Sequence, residues 1–223
     1  MNLTPDAIVY FQHGFFTLNA SLVFSWVVMG AIIGVVLFLT RNLSSGKKIS
    51  KSQALLEMIV LGIRKQIRQI ATQDPAPYLP FLGSLFLFIS ISNLLDVIPF
   101  YEPPTSSLSV TGALAICVFF AVPVFGVRKL GFTQYIKKYI EPSFAMLPFN
   151  IISELSRTLA LAVRLFGNIM STSMLVAVLI SIVPLFVPLV MQALGLLIGQ
   201  IQAFIFAALA AVYIATGTSK EET

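Results

Sequence analysis

Residues 18–40 read LNASLVFSWVVMGAIIGVVLFLT, a run without a single charge that ends against Arg41, Lys47, Lys48 and Lys51. About 20 consecutive apolar residues are what a helix needs to cross a hydrocarbon core about 30 Å thick. Lipid offers nothing to an unpaired backbone N–H or C=O, so a segment of this kind must satisfy its own backbone as a helix. The same criterion marks 81–98 and 108–126, and then two longer apolar stretches, 143–182 and 186–216, which part around Pro184 and Pro188. The expected fold is an all-α integral membrane protein, one membrane domain over 1–223, with five membrane-crossing helices.

Composition agrees, with 57% of the 223 residues hydrophobic and 10% charged. A net charge of +5 is compatible with nucleic-acid binding in principle. Here the basic residues sit in short segments between apolar blocks, so they set membrane topology and no nucleic-acid partner is expected. Cys117 is the single cysteine, which excludes a disulfide framework and a thiolate metal site. The first 17 residues lack the basic start and small-residue cleavage pattern of a signal peptide, so nothing is expected to be removed.

Between Ser52 and Thr72 the pattern changes: Leu56, Ile59, Val60, Ile63, Ile67 and Ile70 recur at helical spacing while Glu57, Arg64, Lys65 and Arg68 share another side. That amphipathic helix is expected to lie on the membrane surface. Asp74-Pro75-Ala76-Pro77 breaks it, and Pro99 and Pro103-Pro104 mark the turn between the second and third spans. Lys and Arg collect in 41–68 and 128–138 and are absent from 1–17 and 99–107, which places the N-terminus outside and, after five crossings, the C-terminus inside. The last two stretches are too long for upright spans. A helix of about 35 residues measures about 50 Å, so both must tilt steeply, as an antiparallel hairpin. The chain shows no internal repeat, which counts against an alternating-access transporter.

Ionisable residues inside apolar segments are few and mark function, because a charge in lipid is costly. They are Asp96, Glu154, Arg157 and Arg164. Arg164 lies deepest. Positions 157, 161, 164, 168 and 171 fall along one helical stripe, bringing Arg157, Arg164, Asn168 and Ser171 together on an aqueous path or against a polar partner. The competing reading pairs Arg164 with Asp96 or Glu154 of its own chain. Gly195, Gly199 and Gln202 form a weaker counterpart on the last helix, with Gln200 nearby. Asn93 and Asp96, three apart, line an entrance for cations in one reading and reach interfacial water in the other. No nucleophile–base pair or metal-ligand set lies within the spans, the only histidine being His13, and no phosphate-binding Gly-Lys-Ser/Thr loop is present. No cofactor is expected.

The stretch from Ser156 to Asn168, SRTLALAVRLFGN, resembles the signature of subunit a of F-type ATP synthases in its bacterial and plastid form. Gln202-Ala203-Phe204-Ile205-Phe206 followed by Val212-Tyr213, and Asn93 to Pro99, NLLDVIP, resemble the same family in order and spacing. The resemblance implies a stator ion-channel subunit, without a nucleotide site, whose two tilted helices curve around a c-ring of ion-binding carboxylates. Further partners would be the b-type peripheral stalk subunits and the lipid of a bacterial plasma membrane. Arg164 would be the obligatory arginine, Asn168 and Gln202 its polar neighbours, and Asn93 and Asp96 part of the outer half-channel. A guanidinium stays protonated and separates two offset half-channels electrostatically. The sequence departs from the family where a carboxylate nine residues after the arginine and a histidine seven before the glutamine are replaced by Ser173 and Gly195, and where Ser107 stands near an expected acid. Water, or Asp96 with Glu154, would take over that relay, and the ion is a proton or sodium. The alternative is a stand-alone ion-coupled secondary transporter.

Overall fold

The computed structural model describes residues 6, 9–13, 16–40, 54, 57, 58, 60–62, 64, 65, 68, 77–98, 101–140, 146–182 and 187–218. Within 52–72 the described residues are helical and exposed. The extent of that helix and, apart from the exposed Val60, the apolar residues expected to touch the membrane fall outside the described residues.

The chain opens with a β-hairpin that hydropathy does not announce. β1 (Val9–His13) pairs antiparallel with β2 (Phe16–Asn19), Val9 opposite Asn19 and His13 opposite Phe16, with an irregularity between Val9 and Phe11. β2 runs directly into α1 (Ala20–Thr40). α2 (Leu79–Leu94) starts with a proline in its first turn, where a missing N–H costs nothing, and tightens at its end into a 3₁₀ turn, Leu95–Val97. A second 3₁₀ turn, Pro104–Ser106, leads to α3 (Leu108–Leu130). Ser107 caps α3 by accepting from the Val110 N–H, and Gly131, at φ 85°, ends it in a conformation that suits glycine. Arg128 and Lys129 occupy its last turn, where they complement the helix dipole. A short amphipathic helix, α4 (Phe132–Ile140), follows; its Tyr135 ring packs on Gly126 so closely that a Cβ there would lie 2.4 Å from it.

α5 (Met146–Ile182, 37 residues) and α6 (Val187–Thr218, 32 residues) dominate the chain. They measure about 55 and 48 Å, well beyond a hydrocarbon core of about 30 Å, so neither stands upright in a bilayer. Their contacts run in opposite order: Arg157 meets Tyr213, Asn168 meets Gln202 and Thr172 meets Gly195. The two helices are therefore an antiparallel pair. α2 packs on α6, and α3 packs on both α5 and α6. The core they enclose contains Leu82 and Ile89 from α2, Val118 from α3, Leu161 and Leu165 from α5, and Phe206 and Ile214 from α6. Alanines at 203, 207, 210 and 211 keep α6 narrow where its neighbours approach. α1 stands at the margin, touching α2 and the 104–106 turn while Trp26, Met29, Ile33 and Phe38 face outward.

The bundle has two chemically distinct ends. Arg128, Lys129, Lys137 and Lys138 gather at the end where α6 finishes, and Lys138 donates to the Thr216 carbonyl. Asp6, Asp96 and Glu102 gather at the other. There Ser21 and Ser107 both donate to the Asp6 carboxylate, the latter at 2.6 Å. Residues 101–107, at that acidic end, contain no Lys or Arg.

Candidate functional site

The seam between α5 and α6 carries the polar residues. Asn168 donates through Nδ2 to Gln202 Oε1 at 2.8 Å, and Thr172 Oγ1 donates to the Asn168 carbonyl at 3.0 Å. α2 closes the seam from behind. Asn93, buried, donates through Nδ2 to the Gly199 carbonyl at 2.9 Å and accepts at Oδ1 from Thr105 at 2.9 Å. Gln192 Nε2 donates to the Asp96 carbonyl at 3.2 Å, and Gln200 pairs with Ser90. Together Asn93, Asp96, Asn168, Thr172, Ser173 and Gln202 line a small cavity with about 20 Å³ of room for a water centre. A polar cavity of that size holds about one water.

A second, larger cavity of about 330 Å³ opens toward the basic end, lined by Lys138, Asn150, Glu154, Arg157, Tyr213 and Thr216 among others. Arg157 lies over the Tyr213 ring, 5.9 Å from its centroid, a cation–π arrangement that holds the guanidinium against the cavity wall. Leu161, Leu165, Ala203 and Phe206, all buried, form the apolar layer between the two cavities.

Arg164 sits at the level of that layer. Its side chain is exposed on the outward face of α5 beside Val163, and it makes no hydrogen bond or ion pair among the described residues. The intrachain pairing with Asp96 or Glu154 is thus not formed. Nor do those two carboxylates share a compartment: Asp96 lines the small cavity with Asn168, while Glu154 lines the large one, about 21 Å away along α5. A joint Asp96–Glu154 relay is therefore not what the geometry offers.

The single polar stripe expected over 157, 161, 164, 168 and 171 is divided in the fold. Helical geometry of about 100° per residue spreads those positions over about 80°. Leu161 and Asn168 fall on the side that meets α6, so Leu161 is fully buried and Asn168 is held by Gln202. Arg164 and Ser171 fall on the opposite edge; they are exposed as Asn168 is, but among the described residues they make no bond to α6. Arg157 turns into the large cavity. Ser171 lines neither cavity, whereas Ser173 lines the small one with its hydroxyl bonded back to the Ile169 carbonyl at 3.1 Å. Gly195 cannot be larger without displacement, because a Cβ there would lie 2.6 Å from Thr172 Cγ2.

Thr172, Asn150 and Tyr213 line these compartments, and Thr105 and Gln192 bond to Asn93 and Asp96 of the small one, although the sequence reading did not single them out as site residues. For two of them a signal exists. Thr172 follows Asn168 by four, and Gln192 precedes Gly195 by three, each one turn along the same face. Tyr101, in the segment joining the second and third spans, packs edge-on against Phe24 with ring centroids 5.1 Å apart. Burial pushes its phenol up to about 12; the Ser92 hydroxyl opposes this and the charge of Asp96 adds to it. Ser107, near the place of an acid in the resembled family, donates to Asp6, so a carboxylate from the N-terminal segment lies beside it.

Such a fold and site define an ion-translocating helical membrane protein, with the exposed Arg164 guanidinium between two polar compartments. Comparison with known proteins narrows the class. The family described as ATP synthase A chain matches residues 22–215. ATP synthase subunit a 2 of Acaryochloris marina is 57% identical over 222 residues, covering 100% of this chain and 95% of that protein. ATP synthase subunit a of Albidiferax ferrireducens is 56% identical over 98% of this chain and 94% of its own length. ATP synthase subunit a 1 of Prosthecochloris aestuarii is 52% identical over the whole of both chains. The chain belongs to the ATP synthase subunit a family.

Proposed function

We propose that this chain is the stator ion channel of a rotary F-type ATP synthase and that Arg164 works against a ring of carboxylates supplied by c subunits. The observation that carries the reading is Arg164 itself, exposed on an apolar outward face and without a partner among the described residues. A charge placed there costs about 3 kcal/mol on insertion scales, so a partner from another chain must compensate it. The cavity at Asp96, Asn168 and Gln202 then serves one side of the membrane and the cavity at Glu154, Arg157 and Tyr213 the other. An ion passes from one cavity to a ring carboxylate and, after nearly a full rotation, leaves through the other. Arg164 attracts each carboxylate in its ionised form and donates no proton, which keeps the two compartments from short-circuiting.

The basic end faces the cytoplasm by the positive-inside rule, which places the N-terminus outside, and the complex resides in a bacterial plasma membrane. Nucleotide is handled by other subunits, and b-type peripheral stalk subunits hold this one stationary. In an assembled, reconstituted complex, Arg164→Ala should leave assembly intact and abolish ATP-coupled ion transport. Arg164→Lys should fail too, because a lysine is a flexible point charge that loses its proton when desolvated. Full coupled activity in an assembled Arg164→Ala complex would overturn the assignment.

A further inference from the structure

α3 has 23 residues and measures about 35 Å, close to the thickness of a hydrocarbon core. The helix that follows it, α4, therefore begins at headgroup depth. Gly131, at φ 85°, turns the chain there. α4 is docked across the ends of α3 and α6: Tyr135 is buried against Gly126, a position that also faces the Gly217 carbonyl, and Lys138 donates to the Thr216 carbonyl. The helix is thus a fixed element of the basic end, held by the side that carries residues 135 and 138.

Another side of α4 is apolar and uncovered. Phe132 and Ile136, one turn apart, are 68% and 38% exposed, and Thr133 and Lys137, the neighbouring pair around the helix, are exposed as well. Arg128 and Lys129, exposed in the last turn of α3, come immediately before. Residues 128–140 contain Arg128, Lys129, Lys137 and Lys138 and no Asp or Glu. Apolar side chains beside cations at headgroup depth suit a helix that sinks one side among acyl chains while its cations meet lipid phosphates. A nucleic acid or a soluble acidic protein would leave Phe132 and Ile136 with nothing apolar to cover them.

We propose that α4 and the end of α3 form a docking surface for anionic phospholipid, with Phe132 and Ile136 against acyl chains and Arg128, Lys129 and Lys137 on headgroup phosphates. Each basic residue near an anionic surface adds about fivefold to the preference for charged lipid. Because Lys138 and Thr216 also line the larger cavity, lipid held here steadies one wall of that compartment. The surface itself does not depend on what passes through the cavity.

Lipid-selective quenching tests it in the assembled complex, placed in bilayers of phosphatidylcholine and phosphatidylglycerol, with Cys117→Ser and a fluorophore attached at Thr133→Cys. Brominated forms of each lipid report which one surrounds the label. The local ratio of phosphatidylglycerol to phosphatidylcholine should exceed the bulk ratio by about fivefold or more and decline as salt screens the charges. It should fall to the bulk ratio when Arg128→Gln, Lys129→Gln and Lys137→Gln are combined; Lys138 stays in place because it holds Thr216. The charge-keeping pair Lys129→Arg and Lys137→Arg should retain the enrichment, which separates loss of charge from damage to the fold. A fluorophore at Leu108→Cys, exposed at the acidic end, should find no enrichment. A bulk ratio at Thr133→Cys, an enrichment untouched by the three glutamine substitutions, or an equal enrichment at Leu108→Cys overturns the proposal. Absence of quenching by either lipid means that another subunit covers α4, and overturns it too.

Discussion

Gly199→Ala should weaken the crossing of α2 and α6, and the size of the effect follows from the geometry. A Cβ at Gly199 would lie 3.0 Å from Asn93 Nδ2 and 3.1 Å from its Cβ and Cγ, tighter than ordinary van der Waals contact. Asn93 cannot withdraw freely, since it donates to the Gly199 carbonyl at 2.9 Å and accepts from Thr105 at 2.9 Å. Overpacking of this kind costs about 1–3 kcal/mol, and loss of one of those hydrogen bonds adds about 1 kcal/mol. Replacing a helical glycine by alanine returns about 1 kcal/mol of backbone entropy. The net loss is then about 1–3 kcal/mol, which lowers the thermal midpoint in detergent by roughly 3–10 °C for a chain of this size. Gly83→Ala is the control: a Cβ there meets nothing within 4 Å, so only the favourable backbone effect remains. If Gly199→Ala melts at or above the Gly83→Ala variant, the close approach described here does not govern the crossing.

Further expectations concern other parts of the bundle. Gly195→Ala should reduce stability through its 2.6 Å approach to Thr172 Cγ2, and Thr172→Ala should restore it in the double variant, a coupling that a double-mutant thermal series measures. Asp6→Asn should weaken the bonds from Ser21 and Ser107, costing about 1–2 kcal/mol and exposing the N-terminal segment to protease in a limited digest. Cysteines placed singly at Thr4, Ser45 and Ser219 in a Cys117→Ser background should label from outside at Thr4 and only from inside at the other two. The opposite pattern would invert the proposed topology. Asp96→Ala should impair ion-driven ATP synthesis in reconstituted vesicles, and near-normal coupled transport would place the entrance elsewhere.

The family signature around Arg164 was legible in the chain, and so were the long apolar runs and the charge that interrupts one of them. Transfer between water and lipid acts on consecutive residues along the sequence, so a charge-free run such as 18–40 and the charges that bound it carry their own reading. The division of the polar stripe was not legible. Leu161 is buried in the core and Asn168 is bonded to α6 while Arg164 turns outward, although all three lie within one narrow sector of the helix. The separation of Asp96 from Glu154 and the return of a carboxylate to Ser107 from Asp6 were equally hidden, because each depends on segments distant in sequence.

The chain by itself determined that this protein is helical and membrane-spanning, that its last two helices are too long to stand upright, and that Arg164 is the charge to explain. Only the tertiary structure decided which side of each helix faces a neighbour. In water, the buried face of a helix is marked by apolar residues against a polar exterior. In a bilayer the exterior is as apolar as the core, so Leu161, fully buried, and Val163, exposed, are indistinguishable by type. What selects the inward face is close packing and side-chain pairing, as at Gly199 with Asn93 and Asn168 with Gln202, and those exist only once the helices have met.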